Sequence, residues 1–131
     1  MQSGIVYLYI ACGGAAGACM RFFMTQLILQ WFGRGFPYGT LLVNVIGSFS
    51  LGFLYSLIAQ RQMEAVLWKT ALGTGLFGAF TTFSTFSVDT LMLLQQGLWI
   101  KGLLNIFLNL SCSLCAAWLG TVMVTTFVKE Q

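Results

Sequence analysis

The sequence contains no histidine, a single proline and very little charge: six Lys/Arg and three Asp/Glu, 7% of its 131 residues. A soluble domain carries about 25% charged residues, so a water-facing surface cannot be assembled from these. Without histidine there is no imidazole base, no imidazole metal ligand and no Ser-His or Cys-His nucleophilic pair. The three carboxylates, Glu64, Asp89 and Glu130, lie far apart in the chain, and no two are placed for acid–base work. The chain is therefore not expected to be an enzyme. Its net charge of +3 is spread singly, which is no nucleic-acid footprint. Four cysteines are present, and Cys112-x-x-Cys115 has metal or redox spacing. That pair sits in a charge-free segment with no second pair and no histidine to complete a tetrahedral site. Its geometry on one helix is poor for a disulfide, so small buried side chains are expected there. The first positive residue is Arg21, so the N-terminus lacks the basic region of a cleavable signal peptide.

What the sequence has in abundance is apolar length, with 58% of residues hydrophobic. Residues 1–20, 35–60, 70–88 and 102–128 carry no Lys, Arg, Asp or Glu. A helix needs about 20 apolar residues to cross the hydrocarbon core, and four stretches meet that need. The expectation is an all-α membrane protein, one domain over 1–131, with spans at about 4–29, 39–59, 70–94 and 102–127. Gly13 and Gly17 have the GxxxG spacing that lets helix backbones approach in lipid. Trp31, Phe32, Gly33 and Arg34 mark an interface, and Pro37 stands where a helix start accommodates proline. Four spans put Arg61, Lys69 and Lys129 on one side and Arg34 and Lys101 on the other. Three against two is almost no bias under the positive-inside rule. Such a chain can insert both ways and pair with an inverted copy as an antiparallel, dual-topology homodimer.

Span three is unusual. Gly73, Gly75 and Gly78 weaken a helix, and the Ser/Thr residues that follow compete for backbone bonds. These residues fit a glycine-rich packing helix or a helix broken mid-membrane, and such breaks occur where the backbone is buried in protein or lines a watery cavity. The expectation taken forward is the broken helix. Phe77, Phe80, Phe83 and Phe86 recur every third residue, a stripe that winds around an α-helix rather than holding one face. Each ring alone is ordinary lipid-facing or packing material. The electropositive ring edges nevertheless offer an anion contact without tight binding. Asn44, Gly47 and Ser48 share a face of span two, and Asn105, Asn109 and Ser113 step by four along span four. Interhelical hydrogen bonds explain any one of these residues. Two polar stripes beside a hydroxyl-rich span point instead to a path for a small ion or solute, of either sign. Asp89 reads as a buried functional acid or as a snorkelling one. Arg21 reads likewise, or as a helix-end anchor.

Three strings carry a resemblance: Gly13-Gly14-Ala15-Ala16-Gly17-Ala18-Cys19-Met20-Arg21, Gly39-Thr40-Leu41-Leu42-Val43-Asn44-Val45-Ile46-Gly47-Ser48, and Gly78-Ala79-Phe80-Thr81-Thr82-Phe83-Ser84-Thr85-Phe86-Ser87. In content and order they resemble the CrcB/Fluc fluoride channels, through all four spans. The resemblance implies a dual-topology antiparallel homodimer with two pores, passing fluoride passively out of a microbial cytoplasm across the inner (plasma) membrane. It implies that Phe83 and Phe86, from opposite subunits, face each pore, with Asn44 donating beside them. Asn105, Asn109 and Ser113 fall on the family's polar track, and Ser84 and Thr85 count among its hydroxyl donors. The backbone carbonyls of Gly78 and Thr81 from both subunits would hold a structural Na⁺ on the dimer axis. Arg21 matches the arginine at the end of span one. Asp89 stands where some relatives have Glu, and Asn105 and Asn109 stand where the track varies between Tyr, Ser and His.

Two other readings make different demands. A four-span multidrug exporter needs a buried carboxylate in its first span, which this chain lacks. A protein whose Gly and Asn faces serve only assembly would bind partners and pass no ion.

Overall fold

The computed structural model describes residues 3–60 and 63–129. Four helical segments are long and apolar enough to cross a membrane: Ser3–Phe32, Tyr38–Ala59, Ala65–Gln95 and Trp99–Lys129. They extend past the bounds read from the sequence because the aromatic and polar interface residues continue the helices. Helix α1 is Ser3–Phe32 and α2 is Tyr38–Ala59. The third segment is composite: α3 (Ala65–Trp68), a π-helical stretch (Lys69–Phe77), α4 (Gly78–Phe80) and α5 (Phe83–Gln95). Helix α6 is Trp99–Lys129. Arg61 and Glu130, used above in weighing charge, lie outside the described residues.

The connections follow local chemistry. Gly33, at φ +75°, takes the left-handed conformation that ends α1. Pro37 caps α2, and Tyr38 N–H donates to the Phe36 carbonyl at 2.8 Å. After α5, Gly97 adopts φ +76°. Gly97 N–H then donates to Leu94 and Leu98 N–H to Leu93, the paired bonds of a Schellman cap. Lys101 Nζ donates to the Gly35 carbonyl at 2.9 Å, so the Arg34 loop and the start of α6 share one end of the bundle.

Glycine decides which helices touch. Gly13 and Gly17 lie so close to the third segment that a Cβ on either would overlap a backbone carbonyl, of Ala71 or Leu76. Gly75 meets α1 from the opposite side, at the Ile10 carbonyl. Helix α2 runs along α6 in the same manner, with Gly52 against the Ala117 carbonyl and Gly120 against that of Phe49. These approaches bring backbones together where apolar burial gives no drive in lipid. The interior is filled by Val43, Leu54, Phe80, Phe86 and Val124. The Cys112/Cys115 pair departs from expectation, with Cys115 exposed and Cys112 half-buried; Cys12 and Cys19 are also exposed, and all four thiols are free. On a chain whose outer surface meets lipid, a small apolar side chain gains as much outside as inside.

Candidate functional site

In the π-helical stretch Gly78 N–H reaches back five residues, to the Gly73 carbonyl. Regular geometry resumes for one turn and ends at Phe80. Thr81 (φ −81°, ψ 158°) and Thr82 (φ −152°, ψ 114°) are extended, and α5 begins at Phe83. The Thr82 hydroxyl caps α5 by accepting from Thr85 N–H at 3.1 Å. Thr82 N–H is taken by Asn44 Oδ1 at 2.8 Å. An unbroken helix would give these two N–H groups to the carbonyls of Thr81 and Gly78. Both carbonyls have instead lost their usual donors.

Asn44 is the hub that holds the two extended residues to α2. Its Nδ2 donates to the Thr82 carbonyl at 3.1 Å and to Asn109 Oδ1 at 3.0 Å. Asn109 Nδ2 continues to the Asn105 backbone carbonyl and Oδ1, at 3.0 and 2.9 Å. Asn105 Nδ2 donates to Thr90 Oγ1 at 2.9 Å, and the Thr90 hydroxyl donates to the Phe86 carbonyl at 2.8 Å. Asn105 and Asn109 are buried, so the bonds from Asn109 through Asn105 and Thr90 to Phe86 are buried, while those of Asn44 are half-buried at the edge of the network. Among the described residues no buried side-chain nitrogen or oxygen is left without a partner, as burial demands.

A cleft of about 330 Å³ opens beside this network, between α2, α5 and α6. Asn44, Ser48, Asn109 and Ser113 supply its amides and hydroxyls. Thr81, Thr82, Phe83 and Phe86 form the wall from the third segment. The two rings are 5.4 Å apart and tilted by 55°, yet their settings differ: Phe86 is 7% exposed and Phe83 74%. Gly47 lets the wall approach α2, since a Cβ there would overlap Thr81 Cγ2.

A larger cleft, about 400 Å³, lies between the end of α1, the 33–37 loop, the start of α2 and the end of α5. Arg34, Thr40, Asp89 and Gln96 line it. Thr40 donates to Asp89 Oδ2 at 2.7 Å, so the half-buried acid has a fixed partner. Thr40 stands one helical turn before Asn44, and Thr90 follows Asp89, so along both helices the Thr40–Asp89 pair of the larger cleft is next in sequence to the amide network of the smaller one.

The structure thus brings together Asn44, Asn105, Asn109, Ser113, Phe83, Phe86 and Thr81. Ser84 and Thr85 are exposed and turn toward the Thr82 hydroxyl instead of lining the smaller cleft. Gly78 is exposed. Asp89 belongs to the larger cleft, and Arg21 lies inside α1, which continues to Phe32, so it caps no helix end. Sequence reasoning missed Thr40, Thr82 and Thr90. Only Thr40 had a readable signal, one turn from Asn44 on a common face.

Residues 8–121 match the family described as CrcB-like protein, Camphor Resistance (CrcB). The chain is 50% identical over 121 residues to the fluoride-specific ion channel FluC of Alteromonas mediterranea, covering 92% of this chain and 95% of that one. It is 51% identical over 115 residues to the protein of that name from Pseudoalteromonas translucida, covering 88% and 96%. To that of Vibrio cholerae it is 48% identical over 112 residues, covering 86% and 89%. Relatives so named are ion channels, in line with the expectation of no enzyme.

Proposed function

The chain belongs to the CrcB-like family of fluoride-specific ion channels and is a multi-pass membrane protein, and from this we propose that it passes fluoride passively out of the cytoplasm across the plasma membrane. One observation carries the proposal: a chain of amides and hydroxyls, Asn44, Asn109, Asn105 and Thr90, leads inward from the smaller cleft with no charged side chain in it. Fluoride is small and strongly hydrated, so a path must replace its water with donors. Amide N–H and hydroxyl groups do this, whereas a ring of Arg would hold the ion too long to conduct. In this reading Asn44, Asn109 and Ser113 line the cleft and supply donors, each amide giving up one of its protein partners as the ion passes. Asn105, 0% exposed, holds Asn109 from behind, and Phe83 and Phe86 supply ring edges.

The exposure of Gly78 beside a helix break whose Gly78 and Thr81 carbonyls have lost their helical donors supports a second copy covering this face, because lipid gives a backbone carbonyl no partner. The nearly balanced charge of the two ends favours an inverted copy, hence an antiparallel homodimer whose Phe83 reaches its partner's cleft. The carbonyls of Gly78 and Thr81, relieved of their helical donors, fit a hard cation that prefers oxygen, and two copies would offer four such oxygens to Na⁺. When bound, that ion adds a positive field beside the path with no side-chain charge in it.

The purified chain in liposomes, with fluoride efflux followed by an ion-selective electrode and chloride as control, tests the proposal. Fast fluoride efflux with negligible chloride efflux is expected. A folded dimer that passes no fluoride would overturn the reading and favour a protein that only assembles.

A further inference from the structure

The hydrogen bonds around Asn44 have a direction, and one atom fixes it. A backbone N–H can only donate, so the atom of Asn44 that meets Thr82 N–H is the amide oxygen. Asn44 Nδ2 must then face Asn109, whose receiving atom is its own oxygen. By the same logic Asn109 Nδ2 faces Asn105 Oδ1, and Asn105 Nδ2 faces Thr90. Thr90 Oγ1 therefore has to accept, and it spends its hydrogen on the Phe86 carbonyl. The relay leaves the third segment at Thr82 N–H, crosses α2 and α6, and returns to α5 at Thr90. Every amide along it is held one way round. Thr90 is the group that closes it, 7% exposed beside an Asn105 that is 0% exposed.

We propose that Thr90 is a positioning residue for conduction, holding the amides of Asn105, Asn109 and Asn44 with their donors in one sense while touching no ion itself. This rests on the fluoride-channel reading above. For an anion the sense of an amide is decisive, because a reversed amide presents its carbonyl oxygen where an N–H is needed. Asn105 holds both Asn109 contacts, through its backbone carbonyl and its Oδ1. With no acceptor at position 90, its buried NH₂ gains by turning elsewhere, since a buried donor without a partner is costly. That turn swings Oδ1 away from Asn109 and frees Asn109 to reverse against Asn44.

The test is fluoride efflux per folded dimer for Thr90→Val, Thr90→Ser and Thr90→Cys beside the unaltered chain. Thr90→Val, similar in shape but without the hydroxyl, should lose about tenfold in flux, the factor that corresponds to one lost buried hydrogen bond. Thr90→Ser restores the acceptor and should stay within about twofold of the unaltered chain, with Thr90→Cys, a weak acceptor, between the two. A merely structural threonine would lower thermal stability without ordering flux by acceptor strength. Flux for Thr90→Val equal to the unaltered chain, or Thr90→Ser as poor as Thr90→Val, would overturn the proposal. Should Thr90→Val fail to fold, wild-type flux in Thr90→Cys overturns it instead. If the unaltered chain passes no fluoride, the channel reading fails first and this inference falls with it.

Discussion

The two halves of the third segment are held by different means. The first half, through the π-helical stretch to Phe80, is fixed by backbone lying on backbone: Gly13 and Gly17 of α1 against the carbonyls of Ala71 and Leu76, and Gly75 against that of Ile10. The second half, from Thr82 through α5, is fixed by side-chain hydrogen bonds to Asn44 and Asn105. Glycine contact sets distance and tolerates many side-chain chemistries nearby. Hydrogen bonding sets which polar atom points where. The first half therefore works as a wall, and the second places donors and rings around the smaller cleft. Thr81 and Thr82 are extended where one kind of restraint gives way to the other.

Four substitutions break or sharpen this contrast. Gly17→Val should do most harm, because its Cβ meets the Leu76 carbonyl and a backbone has no rotamer with which to yield. A stability loss of about 3 kcal/mol or more, at or above the usual cost of overpacking, is expected. Thermal unfolding in detergent and the yield of folded protein measure it. Normal stability would mean that close backbone approach does not hold the first half.

Asn44→Asp leaves the glycine contacts intact and attacks the second half. A carboxylate cannot donate to the Thr82 carbonyl or to Asn109, and it sets a negative charge on the proposed anion path. Fluoride flux should fall by about a hundredfold or more, given that hydrogen bonds involving charged groups are worth about 1.5–3 kcal/mol. Appreciable flux in liposomes would remove Asn44 from the path.

Gly78→Val probes the junction. Within one chain the added Cβ meets nothing closer than the Gly73 carbonyl at 3.4 Å, an ordinary contact. Its effect should therefore appear between chains, as a dimer dissociation constant raised about tenfold, or ~1.4 kcal/mol. Size-exclusion of diluted samples reads this. A variant that assembles and conducts normally would mean that Gly78 holds no ion on a dimer axis.

Phe83→Ile is the mildest. The residue is largely exposed within one chain, so the fold should be untouched and the dimer retained. Flux should drop by about tenfold at most, the upper worth of an aromatic contact beyond its area being about 1.5 kcal/mol. Unchanged efflux would take Phe83 out of the pore.

Much of this was legible in the residues. Charge-free runs of sufficient length gave the four spans, and Gly13 with Gly17 gave the face by which α1 meets the third segment. Spacings of four on one helix placed Asn105 above Asn109, because a helix fixes its own neighbours. What the residues left open was where side chains meet other elements. Ser84 and Thr85 sit in a hydroxyl-rich string, yet α5 turns them away from the smaller cleft and toward Thr82. Asp89 had two readings, and its partner, Thr40, lies 49 residues away.

By itself, then, the sequence determined that this chain lives in a membrane, how many times it can cross, and that the polar groups of its second and fourth spans are neutral donors and acceptors. Those properties follow from composition and from the fixed rise and period of a helix. Only the tertiary structure decided that Asn44 serves Thr82 and Asn109, 38 and 65 residues distant. It alone decided that Phe86 is buried while Phe83, one turn earlier, is exposed, and that the amides run in one sense. A hydrogen bond across spans depends on how closely two helices approach and on which atom each presents. That is settled by glycine contacts elsewhere in the bundle and has no counterpart in local spacing.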